Sequence, residues 1–336
     1  MLIDVAFLFL ALIVILLSAE LFTNGVEWLG QRLNLSQGVV GSVLAAVGTA
    51  LPETLIPFVA VIFFGGVEGH DVGIGAIAGA PFMLSTLTVC LCGISMWAFA
   101  RSGRRPRELK ISRGILSRDL RFFILAYSLG ISATYIDIPV MRFVIAGGLV
   151  LLYPLYLYRT FQHEGEVGEA PEKFHMSFFV KPGAEPSLRL IAAQAFAGLA
   201  GIIGGAFLFV NYTQDVAQLL GVPPLILSLI IAPIATELPE KVNSILWART
   251  GKDTLALGNI TGALVFQSCF PVAFGVAFTH WELAPHTVAT GLIAITCAST
   301  YLLLINKGKL RPASLMCGGV VYALTISALI YLGVTD

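Results

Sequence analysis

Apolar residues run through this chain in long, nearly unbroken stretches separated by short polar clusters. Ten such stretches can be marked, at about 2–30, 36–64, 72–99, 120–137, 139–160, 188–219, 222–248, 254–278, 287–305 and 313–333. Each reaches roughly the 17–25 residues that a helix needs to cross the hydrocarbon core. The pattern predicts an all-α membrane protein with ten transmembrane helices. The first stretch is too long for the apolar core of a signal peptide and has no short cleavage-type ending, so it reads as a retained helix. Between 162 and 187 the pattern breaks, with Glu164, Glu166, Glu169, Glu172, Lys173, Pro182 and Pro186. This reads as a cytoplasmic linker, dividing the chain into a five-helix unit at 1–161, the linker at 162–187, and a second five-helix unit at 188–336.

Composition agrees and charge orients the helices. Of the 336 residues, 57% are hydrophobic and only 12% charged, with a mean hydropathy of +0.87; soluble globules carry about a quarter charged residues, so that class is excluded. The segment after the third stretch holds Arg101, Arg104, Arg105, Arg107, Lys110, Arg113, Arg118 and Arg121. Basic residues collect on the cytoplasmic side. With this segment inside, the alternate loops carrying Arg32, Arg159 to Arg189, Arg249 with Lys252, and Lys307, Lys309 with Arg311 are inside too. The opposite loops hold Glu68, Asp71, Asp137 and Glu282. Both termini are therefore expected outside, and only Arg142 and Lys241 depart from the rule. The expected location is the cytoplasmic membrane of a prokaryote, as a multi-pass integral protein. A net charge of zero makes the basic run a topology signal rather than a nucleic-acid surface. No obligate protein partner is implied. Cys90, Cys92, Cys269, Cys297 and Cys317 all fall in apolar stretches without metal-ligand spacing and read as packing residues.

The two units resemble each other. A shift of 187 lays residues 22–53 on 209–240 without a gap, pairing Asn24 with Asn211 and Gln31 with Gln218, and Thr49-Ala-Leu-Pro-Glu53 with Thr236-Glu-Leu-Pro-Glu240. After a four-residue length difference, Gly75-Ala-Ile-Ala-Gly79-Ala80 matches Gly258-Asn-Ile-Thr-Gly262-Ala263. Because five helices per unit is odd, the duplication predicts two inverted repeats.

The repeated segments carry the candidate chemistry. A carboxylate at the bilayer centre costs about 2.5–3.5 kcal/mol on insertion scales and persists mainly where it faces a bundle interior or binds something. Glu53 and Glu240 are two such residues and are repeat mates. Pro52 and Pro239 have no N–H for the carbonyls of Gly48 and Ala235, so each helix is expected to kink and release carbonyl oxygen there. Carboxylate and carbonyl oxygens together suit Ca²⁺ and are acceptable to Na⁺. Gly75 with Gly79, and Gly258 with Gly262, read as close-packing positions. Glu237 lies on nearly the same helix side as Glu240, and Lys241 follows it by four residues. Either Glu237 and Lys241 form a structural pair lining an access path, or Lys241 stands in for a coupling cation. Asn24, Asn211, Asn243, Ser244 and Gln267 are expected near the same cavity, chiefly in interhelical hydrogen bonds, with Gln267 the best direct oxygen ligand among them. The five histidines, His70, His163, His175, His280 and His286, fall in loops and form no cluster in sequence suited to a transition metal.

These motifs resemble the two alpha-repeats of the calcium/cation antiporter superfamily, the sodium/calcium exchanger group. Its core motifs read roughly Gly-Thr-Ser-x-Pro-Glu and Gly-Asn-x-x-Gly-Ser-Asn; here they stand as Gly48-Thr-Ala-Leu-Pro-Glu53, Ala235-Thr-Glu-Leu-Pro-Glu240 and Gly258-Asn-Ile-Thr-Gly262. The resemblance implies alternating access at a midplane site shared by Ca²⁺ and a driving cation, Na⁺ or H⁺, as transported ions with no resident cofactor. It places ion-binding glutamates at Glu53 and Glu240 and carbonyl-donating threonines at Thr49 and Thr236. Glu237 and Gln267 join this set as candidate metal ligands from the residue reading. The sequence departs from the motif at Ala50 and Glu237, at Ala80 and Ala263, and at Leu84 and Gln267. The runner-up is a proton-coupled monovalent cation carrier on the same scaffold. An intramembrane enzyme lacks a His-Glu-x-x-His or Ser-His arrangement at membrane depth, and a receptor or scaffold does not explain paired Pro-Glu elements.

Overall fold

The structure, a computed structural model, describes residues 2–32, 45–162 and 186–335. Most of the expected linker, 163–185, lies outside these residues. Everything regular that is described is helical: α1 (Leu2–Arg32), α2 (Ala45–Val59), α3 (Gly66–Met83), α4 (Val89–Arg101), α5 (Arg113–Ser132), α6 (Pro139–Phe161), α7 (Leu188–Leu220), α8 (Pro224–Thr236), α9 (Leu238–Thr250), α10 (Asp253–Phe278), α11 (Pro285–Asn306) and α12 (Pro312–Thr335). A π-helical turn over Ala60–Phe64 extends α2, and another over Leu84–Thr88 joins α3 to α4 into one rod, Gly66–Arg101. That rod starts after Gly65 and Gly66, at φ 59° and 63°, a left-handed turn open to glycine at little cost.

Among the described residues, seven helices are long and apolar enough to cross a membrane, and Ala50–Phe64 and Pro224–Ile234 are shorter apolar helices. This count is lower than ten for identifiable reasons. The second stretch begins outside the described residues, the fourth opens on the charged turn Arg113, Arg118, Asp119 and Arg121, and the seventh is divided at Glu237.

Small residues set how closely the helices approach. Gly75 and Gly79 lie against the backbone of α8, where an added Cβ would run into the carbonyl oxygens of Leu225 and Leu229. Ser228 Oγ then donates to the Val72 carbonyl at 2.8 Å across the same contact. Their repeat mates Gly258 and Gly262 face no described neighbour closer than Tyr156 Oη, 3.7 Å from a Cβ at 262. The segment that the repeat would set against them, 38–42, lies outside the described residues. On the other flank, α1 and α7 pack along their length, with Gly198, Gly201 and Gly205 against Phe22, Ser18 and Ile15.

Buried polar bonds fasten the ends of the bundle. Arg105 is paired with Asp253 at 2.7 Å with both side chains 1% exposed, and it also donates to the Ala248 carbonyl. This ties the basic loop to the start of α10. Asp119 accepts from Thr261 Oγ1 at 2.8 Å, joining α5 to α10. At the opposite end Arg142, an exception to the charge rule, donates to the carbonyls of Ile136 and His280. Its role there is to hold two loops together.

The tight α3–α8 contact makes a direct prediction. Gly79→Val should cost about 1–3 kcal/mol in overpacking and lower the thermal midpoint of the detergent-purified protein by several degrees. Gly148→Ala, at a glycine with nothing within 4 Å, should leave that midpoint unchanged; equal midpoints for both variants would contradict the packing.

Candidate functional site

The site forms where α2, the junction of α8 and α9, and α10 meet. In the second repeat α8 stops at Thr236 and α9 starts at Leu238, with Glu237 between them at φ −89°, ψ 4°. Pro239 falls in the first turn of α9, where its missing N–H costs least. The backbone ladder carries Glu237 N–H to the Pro233 carbonyl and Lys241 N–H to the Glu237 carbonyl. The first repeat behaves differently. The α2 helix runs through Pro52 without interruption to Val59, and its irregularity is the π-helical turn after Pro57. The expected kink at both prolines is thus a one-residue interruption at Glu237 in one repeat and a continuous helix in the other. Thr54 Oγ1 donates to the Ala50 carbonyl at 3.1 Å in the same turn as Pro52, giving that turn a local bond.

Gln267, near the middle of α10, joins the repeats. Its Nε2 donates to Glu53 Oε2 at 2.6 Å and to Glu237 Oε1 at 2.7 Å. Both contacts are accepted by carboxyl oxygens, so the Nε2 end of the amide is fixed between Glu53 and Glu237. Glu53, Glu237, Glu240 and Gln267 are 6%, 0%, 5% and 1% exposed. Glu53 is within electrostatic reach of Glu237, Glu240 and Lys241. Three oxygens of the bridged trio, Glu53 Oε1, Glu237 Oε2 and Gln267 Oε1, are buried without a hydrogen-bond partner. Acceptors left this way cost about 1–3 kcal/mol each, more when charged, and a cation is one species that such oxygens can bind. Among the described residues no three His, Cys, Asp or Glu side chains close into a metal cage; a glutamine holds the carboxylates instead.

Lys241 does not make the expected contact. No ion pair with Glu237 is among the described contacts. The ammonium donates to the Pro233 carbonyl at 3.0 Å and approaches Met83 Sδ at 3.1 Å, while Glu237 Oε1 accepts from Gln267 instead.

The remaining candidates separate. Thr236 is buried and its Oγ1 turns back to the Ala232 carbonyl at 3.2 Å. Thr49 lies on α2, but its side chain is outside the described residues. Asn24 is in an interhelical bond, accepting from Gln194 Nε2 at 2.8 Å across α1 and α7, and Asn211 is exposed. Ser244 is buried and accepts from Asn259 Nδ2 at 3.2 Å; the same nitrogen reaches the Glu240 carbonyl at 3.1 Å. Asn259 therefore positions the turn bearing Glu240. The repeated Gly-x-x-x-Gly motif contains it, yet its mate is Ala76, so repeat symmetry gave it no weight. His70 and His280, far apart in sequence, bring their rings to 5.4 Å.

Comparison with known proteins places this arrangement among transporters. The sequence profile of the family described as "Sodium/calcium exchanger protein" matches residues 3–162 and 190–331. An uncharacterized membrane protein of Methanocaldococcus jannaschii is 25% identical over 304 residues, covering 90% of each chain. The crystal structure of an H⁺/Ca²⁺ exchanger, CAX, superposes with a TM-score of 0.72 at 14% identity, over 99% of this chain and 86% of the other. The sodium-calcium exchanger NCX_Mj, soaked with Na⁺ and Sr²⁺, gives a TM-score of 0.58 at 21% identity, over 97% and 98%. At those identities the two structures establish the fold.

The bridging role predicts the effect of its loss. Gln267→Ala should lower Ca²⁺ affinity by about 10–100-fold, the equivalent of one or two hydrogen bonds to charged groups, as read by isothermal titration of purified protein. An unchanged affinity would mean that Gln267 does not organise the site.

Proposed function

The chain belongs to the sodium/calcium exchanger family and is a secondary active cation antiporter, not an enzyme, and we propose that it exchanges Ca²⁺ for Na⁺ or H⁺ by alternating access at the carboxylates bridged by Gln267. The observation that carries this reading is the convergence of Glu53 and Glu237 from different repeats on one amide, with three further buried oxygens left open. Hard oxygen donors of this kind suit Ca²⁺. The proposed ligands are the carboxylates of Glu53, Glu237 and Glu240, the Gln267 carbonyl, and main-chain oxygen at Thr49 and Thr236. Relatives named as H⁺/Ca²⁺ and sodium-calcium exchangers support Ca²⁺ as one substrate and both counter-ions as candidates.

The proposed topology is ten transmembrane helices in two inverted five-helix repeats, at 1–161 and 188–336, with a cytoplasmic linker at 162–187 and both termini outside. The opposed loop charges and the gap-free repeat support it, and the archaeal relative supports a prokaryotic cytoplasmic membrane. Small inorganic cations and the lipid bilayer are the partners this reading requires. A second reading, a proton-coupled monovalent cation carrier, is favoured by Leu84 and Ala80. Both are buried and apolar where the family motif offers oxygen.

Flux into proteoliposomes separates the two. Ca²⁺ uptake driven by an outward Na⁺ or H⁺ gradient, lost by at least about 100-fold in Glu53→Gln and Glu240→Gln on the scale of a buried charge removed, supports exchange of Ca²⁺. Monovalent flux indifferent to Ca²⁺ supports the second reading and overturns the first.

A further inference from the structure

Lys241 is a basic residue 7% exposed in the middle of the bundle, and its surroundings suggest what it does there. The shift of 187 sets Lys241 on Thr54 and Glu237 on Ala50. Relative to the first repeat, the second has therefore gained one acid and one base within a single turn. They do not pair directly. Glu237 is bound by Gln267 at 2.7 Å, while the ammonium takes the Pro233 carbonyl at 3.0 Å and the Met83 thioether at 3.1 Å. Lys241 stays within electrostatic reach of Glu237, Glu240 and Glu53. The Pro233 carbonyl belongs to the last turn before the helix break and already accepts the Glu237 N–H. A compact, strongly hydrated ammonium held by main-chain oxygen among three carboxylates has the charge, and part of the ligand set, of a bound alkali cation.

Resting on the carboxylate site assigned above, we propose that the Lys241 ammonium is a tethered counter-cation that fills one monovalent place in that site, so that the site takes up two mobile positive charges rather than three. Uncompensated charge in a dry interior costs several kcal/mol, so the loaded site approaches neutrality. Three carboxylates and one ammonium are balanced by one divalent ion or by two monovalent ions. Exchange of one for the other then moves no net charge across the membrane. Without the lysine, balance calls for one more monovalent ion.

Equilibrium dialysis of ²²Na⁺ against the purified full-length chain at about pH 8, where free carboxylates are ionised, reads this directly and needs no transport. Lys241→Met should bind about one more Na⁺ per chain than wild type, and Lys241→Arg the wild-type number. The double variant Glu237→Ala with Lys241→Thr, which copies the first repeat, should return to the wild-type number. Should Lys241→Met fail to remain monodisperse, Glu237→Ala alone should bind about one Na⁺ fewer than that double variant. Equal counts in wild type and Lys241→Met, or in Glu237→Ala and the double variant, overturn the inference. Counts that follow the scheme in a protein that fails to carry Ca²⁺ leave the inference standing and remove the proposed exchange. No bound Na⁺ in any of these proteins removes the inference, while Ca²⁺ flux still decides the exchange reading.

Discussion

Two carboxylates share one amide nitrogen in the interior of this protein, and the rest of the architecture is organised around making that tolerable. Oxygens at 2.6 and 2.7 Å from Gln267 Nε2 lie within roughly 5 Å of each other at hydrogen-bond geometry. At an effective dielectric constant of about 20, two unit charges near that separation repel by roughly 3–4 kcal/mol. One glutamine offsets part of this cost; Glu240 adds to it and Lys241 relieves it. A site balanced in this way changes energy steeply when a cation enters or leaves, which is the property an exchanger needs.

The scaffold brings those groups together through contacts that side chains would block. Gly75 and Gly79 let α3 lie against the backbone of α8, which sets Met83, further along α3, beside the ammonium of Lys241. At the junction of α8 and α9, Glu237 meets Gln267 at 2.7 Å. Asn259 then fixes the first turn of α9 by holding the Glu240 carbonyl. The first repeat reaches the same centre with an unbroken helix through Pro52. The two Pro-Glu segments thus take different backbone paths, and the residue that meets Glu53 on Gln267 is Glu237 rather than its repeat mate Glu240.

Much of this was readable in the chain because it rests on short, local signals. A repeated Thr-x-Leu-Pro-Glu at matched spacing is enough to pair Glu53 with Glu240, and apolar run lengths are enough to mark the helices. Gln267 could be found by carrying the motif of the partner helix four residues beyond Ala263. What escaped was decided by geometry at longer range. A proline says that a hydrogen bond is lost, not whether the helix yields; α2 absorbs the loss and the second repeat breaks. Spacing alone left Lys241 either paired with Glu237 or standing in for a cation, and the folded protein holds its ammonium on Pro233 and Met83. Asn24 makes the interhelical bond expected of it, with Gln194, whereas its repeat mate Asn211 is exposed. His70, on α3 rather than in a loop, and His280 come together only in the folded chain.

The central claim is that a cation sits between Glu53, Glu237 and Gln267, and anomalous diffraction from crystals soaked in Sr²⁺ tests it most directly. The account predicts an anomalous peak about 2.3–2.6 Å from carboxylate oxygen of Glu53, the range of hard-cation coordination, and its loss in Glu53→Gln crystals. Sr²⁺ found only at surface carboxylates, with Gln267 still bridging an empty centre, would contradict it.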